Sequence, residues 1–172
     1  FISCVSSLNT MFKNLGKKTK QEDLERLSSA KNCPNGDLSG GDLSGSYLKG
    51  ANLLGANLKD ADFSSSDMES ANLEGADLYG ANLDGTKLRF ANLAGVNLES
   101  AKLDLADFLG ANMKGARLVA ASLVDVDLSF ANLEGADLRK AHLGGANQKE
   151  GKLKKANLGA ASLKGADLSY TE

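Results

Sequence analysis

Few residues in this chain have the types and spacing that chemistry needs. There is one histidine, His142, and there are two cysteines, Cys4 and Cys33. A zinc site wants three or four Cys or His ligands at short spacings, and a nucleophile wants a base beside it. Neither constellation is written in the sequence. The run GDLSGGDLSGS, residues 36–46, has the glycines of a phosphate-cradling loop. It lacks the Lys-Ser/Thr ending and the following helix that give such a loop its function. Asp and Ser are abundant, but each falls at a fixed place in a larger pattern that already explains it. The sequence thus offers no catalytic residue, no metal ligand set and no cofactor motif, and the expectation is a non-enzyme.

The larger pattern is a repeat of five. In ANLEGADLYGANLDG, residues 71–85, Leu recurs at 73, 78 and 83. The register holds from Leu38 to Leu168 without insertion, which makes 27 units. The central position is apolar in 26 of them; it is Leu except at Phe63, Met68, Phe108, Met113 and the polar Gln148. The residue two before the centre is Ala, Gly or Ser in 24 units, and the residue just before it is Asn or Asp in 19. Helix faces repeat every 3.6 residues and strand faces every 2, so a period of five is neither.

A short side and a corner satisfy it. The small residue and the centre lie two apart, so on an extended segment they face the same way, inward. The Asn or Asp between them faces out. The last two residues turn the chain, and the frequent Gly there suits a positive φ. Corners lacking Gly, at Asp60, Phe90, Phe130 and Lys140, are expected to avoid it. Every fourth unit is alike: Asn52, Asn72, Asn92, Asn112 and Asn132 share a column, as do Gly55, Gly75, Gly95, Gly115 and Gly135. A twenty-residue super-period means four sides per coil. Stacked at about 4.8 Å, the coils make a rod roughly 30 Å long. One coil cannot bury its Leu residues alone, so neighbours must cover them.

The motif A-[ND]-L-x-x resembles the pentapeptide-repeat family over residues 36–170. The resemblance implies an all-β solenoid, a right-handed quadrilateral β-helix of about seven coils. The segment NCPNGDLSGGDLSG, residues 32–45, resembles the start of the repeats in cyanobacterial and chloroplast-lumen members. Some members of the family resemble duplex DNA in width and negative charge and bind type II topoisomerases.

Residues 1–35 lack the repeat and read as a helical cap before a β-helix over 36–172. Leu8, Met11, Phe12 and Leu15 have amphipathic helical spacing, with Gly16 as a stop. A second helix is expected from Thr19, with Glu22 completing a capping box. Such helices would cover the first coil's open edge. Cys33 falls at a centre position. Two readings of the cysteines stay open: a Cys4–Cys33 disulfide, which would indicate an oxidising compartment, or two free thiols. The chain opens FISCV without Met, so either a leader has been removed or the numbering begins inside a longer chain. No 18-residue apolar run is present to span a membrane. The compartment leans to the thylakoid lumen or periplasm over the cytoplasm.

With the core assigned, specificity must come from outward positions. Phe90, Phe130 and Tyr170 share one corner column, and Leu109 precedes its intervening Gly110. Phe90, Leu109 and Phe130 are expected to meet, with Leu105 at the far end of the same side. Exposed aromatic clusters mark partner surfaces. Lys152, Lys154 and Lys155 form a basic end beside mildly acidic sides. The net charge of −2 argues against general nucleic-acid binding. The reading is a protein–protein interaction scaffold, monomeric with a frayed last coil in preference to a dimer joined at the carboxyl-terminal tip. The alternative is a DNA-mimicking binder of a type II topoisomerase.

Overall fold

The computed structural model of the chain describes residues 18–171. Among the described residues one helix, α1 (Lys18–Ala30), precedes the repeats. From Asn32 the chain forms parallel bridges whose partners are always twenty residues apart, beginning with Asn32–Asn52 and running to Asn147–Asp167. Twenty residues are four units, so each unit is one side of a four-sided coil. The first side contains residues 51–55, the second 56–60, the third 61–65 and the fourth 66–70, and each recurs every twenty residues.

Hydrogen bonds follow from that register. The Leu73 N–H donates to Asn92 C=O at 2.7 Å and Gly75 N–H to Ala94 C=O at 2.9 Å, both toward the next coil. The Asn72 N–H donates back to Ala51 C=O at 2.8 Å. At the corner, Ala76 N–H donates to Leu73 C=O at 3.0 Å, closing a four-residue turn. One backbone donor per unit is left, the N–H just after the centre. It is bonded by the Asn or Asp just before the centre: Glu74 N–H donates to Asn72 Oδ1 at 3.2 Å and Ser64 N–H to Asp62 Oδ1 at 2.8 Å. Pro34 follows Cys33 at this place in the first unit and has no N–H to bond.

The centres fill the interior. Leu73, Leu93 and Met113 are all fully buried, as are Cys33, Phe63 and Phe108. The small residues lie beside them, with Ala71, Ala91 and Ala111 also buried. Ser66 and Thr86 take this position too, and their hydroxyls donate to the carbonyls of Leu43 and Phe63 at 2.8 Å.

The corners overturn one expectation. Asp60, Phe90, Phe130 and Lys140 have φ of 56°, 58°, 60° and 60°, the same left-handed region as Gly75 at 64° and Gly115 at 67°. The ladder on both sides fixes the turn, so residue type does not choose it. The strain of about 1–2 kcal/mol at a non-Gly corner is held by the hydrogen bonds around it. The side chain of such a corner lies along the rod toward the next coil. There Gly often makes room: Asn35 lies over Gly55, Asp60 over Gly80 and Phe90 over Gly110.

The second expected helix is α1, although Thr19 lies inside it and not ahead of it. Leu27 is buried in the core, and Asp23 Oδ2 accepts the Asp37 N–H at 2.8 Å. The expected first helix, Leu8 to Leu15, and Cys4 lie outside the described residues. Among the described residues no helix is long and apolar enough to cross a membrane.

Candidate interaction surface

The Asn/Asp column is less free than its outward direction implies. All 19 Asn and Asp residues at that position from Asp37 to Asp167 accept the N–H two residues on. On the first side they also bond one another. Asn52 donates to Asn32 at 3.0 Å, Asn92 to Asn72 at 3.3 Å and Asn112 to Asn92 at 3.0 Å. Where Lys102 and Ser122 replace the acceptor, an acid one coil earlier serves instead. The Asp104 N–H donates to Asp84 Oδ1 at 3.0 Å and Val124 N–H to Asp104 Oδ1 at 2.9 Å.

These bonds show in the acids. Burial pushes the Asp62 carboxyl up, but bonds from Ser64 and Asn82 and the Lys102 charge outweigh it and hold the pKa below the usual value. Asp77 is lowered in the same way, against its own burial, by Lys59, Tyr79 and Asn97.

Two outward positions per unit remain, the one after the centre and the corner. Most large exposed apolar residues fall there. Phe90 is 60% exposed, Phe130 56% and Leu105 69%. Leu109, half-buried, lies on the fourth side between them. Phe90 N–H donates to Leu109 C=O at 3.0 Å, and the Phe90 ring lies within 2.8 Å of where a Gly110 side chain would begin. The fourth side thus carries apolar groups on both its corners, Leu105 on one and Phe90 and Phe130 on the other. Val124, absent from the sequence reading, extends the patch past the Leu105 corner onto the third side; it is exposed, and its C=O accepts the Leu105 N–H at 2.9 Å. Its signal was available, since Val stands in a column otherwise made of Ser, Asp, Gly and Lys.

Tyr170 does not join this patch. It shares the corner column and is 84% exposed, but Glu150 stands between it and Phe130. Lys152, Lys154 and Lys155 are all exposed, on the first side and its corner. Lys154 and Lys155 act on Glu134, whose pKa is lowered first by its bond from Lys114 and then by these two charges. Elsewhere acids and bases pair across coils: Lys49 with Glu69 at 2.8 Å, Arg117 with Glu99 at 2.8 Å and Lys114 with Glu134 at 3.2 Å.

Cys33 is a free, fully buried thiol. Burial pushes it up to about 11, and the neighbouring Asp23 carboxylate adds to the shift, so it is a poor nucleophile. Its candidate partner Cys4 lies outside the described residues. His142 is exposed in the Asn/Asp column of the third side. Among the described residues no cluster of His, Cys, Asp or Glu could hold a metal ion.

The family profile described as pentapeptide repeats matches in eight copies, over residues 35–64, 42–80, 56–89, 81–119, 91–129 and 121–147. Among solved structures, QnrB1, a plasmid-mediated fluoroquinolone resistance protein, is similar at 21% identity and a TM-score of 0.56, covering 76% of each chain. That likeness shows the fold. HetL, a pentapeptide repeat protein involved in heterocyst differentiation regulation in the cyanobacterium Nostoc sp. strain PCC 7120, is 28% identical over 88% of this chain and 93% of its own, with a TM-score of 0.35. A thylakoid-lumen pentapeptide repeat protein of Arabidopsis thaliana is 26% identical over 73% of this chain and 74% of its own, with a TM-score of 0.31. No protein of curated function is significantly similar in sequence.

Proposed function

The chain belongs to the pentapeptide-repeat family, and from that premise we propose that it is a non-enzymatic scaffold that binds a protein partner through its fourth side. Members fold as right-handed quadrilateral β-helices. About seven coils over residues 36–172, with residues 1–35 as a helical cap, complete the reading. The cap role is supported by Leu27 and Asp23 of α1, which engage the core and the Asp37 N–H.

The observation that carries the proposal is the apolar patch of Phe90, Leu105, Leu109, Val124 and Phe130, where several large exposed apolar residues lie close together. Exposed aromatic and aliphatic groups on rigid backbone lose little entropy on binding and exclude water well. Phe90, Leu105 and Phe130 are each more than half exposed, which favours a protein surface over a small substrate. The alternative, a DNA-like binder of a type II topoisomerase, asks for a strongly acidic face. Here acids pair with bases across coils, and the likeness to QnrB1 extends only to the fold. A lumenal or periplasmic setting rests on the resemblance of residues 32–45 alone.

The test is a variant carrying Phe90→Asn, Leu105→Asn and Phe130→Asn. Asn tolerates the left-handed corner better than most residues, so the fold should persist while the apolar patch disappears. Partners captured from an extract of the source cells by the native chain should be lost by this variant. Capture of the same partners by both would sink the assignment of the surface.

A further inference from the structure

The core has one defect, and it lies at a boundary between coils. Gln148 occupies a centre position, is 1% exposed, and its Nε2 has no hydrogen-bond partner, the sole such buried side-chain atom among the described residues. The next residue facing it is Gly151, at a place usually taken by Ala. A side chain on Gly151 would begin 2.9 Å from Gln148 Cγ, so the glycine leaves room for the Gln148 side chain. Beyond this step Lys155, Ala160 and Tyr170 hold corners at φ of 62°, 56° and 58°, so three of the four corners there carry left-handed strain. The centres Leu153, Leu158 and Leu163 are only partly buried. Lys152, Lys154 and Lys155 add like charge on one side.

We propose that the step between Glu150 and Gly151 is a built-in seam, at which residues 151–170 separate from the preceding coil as one cooperative unit while the rest of the rod stays closed. The backbone ladder crosses the seam normally, with Leu133, Leu138 and Leu143 N–H groups donating to Lys152, Asn157 and Ser162 carbonyls at 2.8 Å. These bonds exchange for bonds to water on opening, so they resist it only modestly. Opening gives the Gln148 amide the partner it lacks, and lets the strained corners relax. It also uncovers Leu133, Leu138 and Leu143 together with a row of backbone donors and acceptors. Local opening in contiguous units is the form that sub-global unfolding takes. Ordinary end fraying predicts exchange that quickens step by step toward residue 170, not one common rate for the whole set, and that difference makes the inference testable.

Native-state hydrogen exchange on the full chain reads it directly. The amides of Leu133, Leu138, Leu143, Lys152, Asn157 and Ser162 should exchange at one common rate. That rate should be at least about tenfold faster than those of Leu93, Leu98 and Leu103, whose ladder lies in mid-rod. Gln148→Met keeps the unbranched shape without the amide, and Gln148→Leu restores the residue used at most centres. Either should slow the first set by about tenfold, the cost of an unpartnered buried amide, and leave the mid-rod set unchanged. A first set no faster than mid-rod in the native chain would overturn the seam. So would a first set that neither variant slows.

Discussion

Asn92 and Leu93 are neighbours with different work. Leu93 fills the core and is fully buried. Asn92 bonds four groups at once: its Nδ2 donates to Asn72 at 3.3 Å and Glu74 at 3.0 Å, and its Oδ1 accepts Ala94 N–H at 3.3 Å and Asn112 Nδ2 at 3.0 Å. Leu93→Ala should lose about 2–5 kcal/mol, because the stacked coils cannot collapse into the cavity. Asn92→Ala should lose about 1–2 kcal/mol, since its bonds are partly exposed and water replaces some of them. Denaturant titration measures both. Equal losses would mean that the amide ladder is as structural as the core. The column was legible in the sequence as a column, but its bonding was not. An Asn facing outward and an Asn closing its own turn have the same spacing, and only the side-chain rotamer separates them.

The corner is the element on which the sequence reading went wrong. Gly at many corners was legible, and so was the four-sided coil, because period and super-period are fixed by residue type. The conformation of the remaining corners was not, since local propensity favours a negative φ at Phe or Lys and the ladder of neighbouring coils overrides it. Two glycines test how the corners work. Gly110 and Gly115 have nearly equal φ, 65° and 67°, but the Phe90 ring lies against the first and nothing lies within 4 Å of the second. Gly115→Ala should cost only the left-handed strain, about 1–2 kcal/mol. Gly110→Ala should cost more, because the ring must also move. Thermal unfolding of the two variants compares them. Equal midpoints would show that the Phe90 ring swings away freely and does not shield that corner.

At the scale of the whole rod, the sequence commits nearly every repeating position to the fold. Centres and small residues fill the interior, Asn and Asp close the ladder, and many charged groups pair across coils. Surface pairs of this kind add little stability, but they leave no strong field to steer a charged partner. On the proposed function a partner is held by the apolar residues at the fourth side, and its binding should then survive high salt. The most direct measurement places a photo-crosslinking side chain at Leu105, on a corner of that side, or separately at Tyr79, exposed on the second side. After irradiation in an extract of the source cells at low and high salt, one discrete adduct should form from position 105 in both conditions and none from position 79. Equal adducts from both positions, or an adduct from 105 that vanishes with salt, would contradict the claim that this rod recognises its partner through the apolar fourth side.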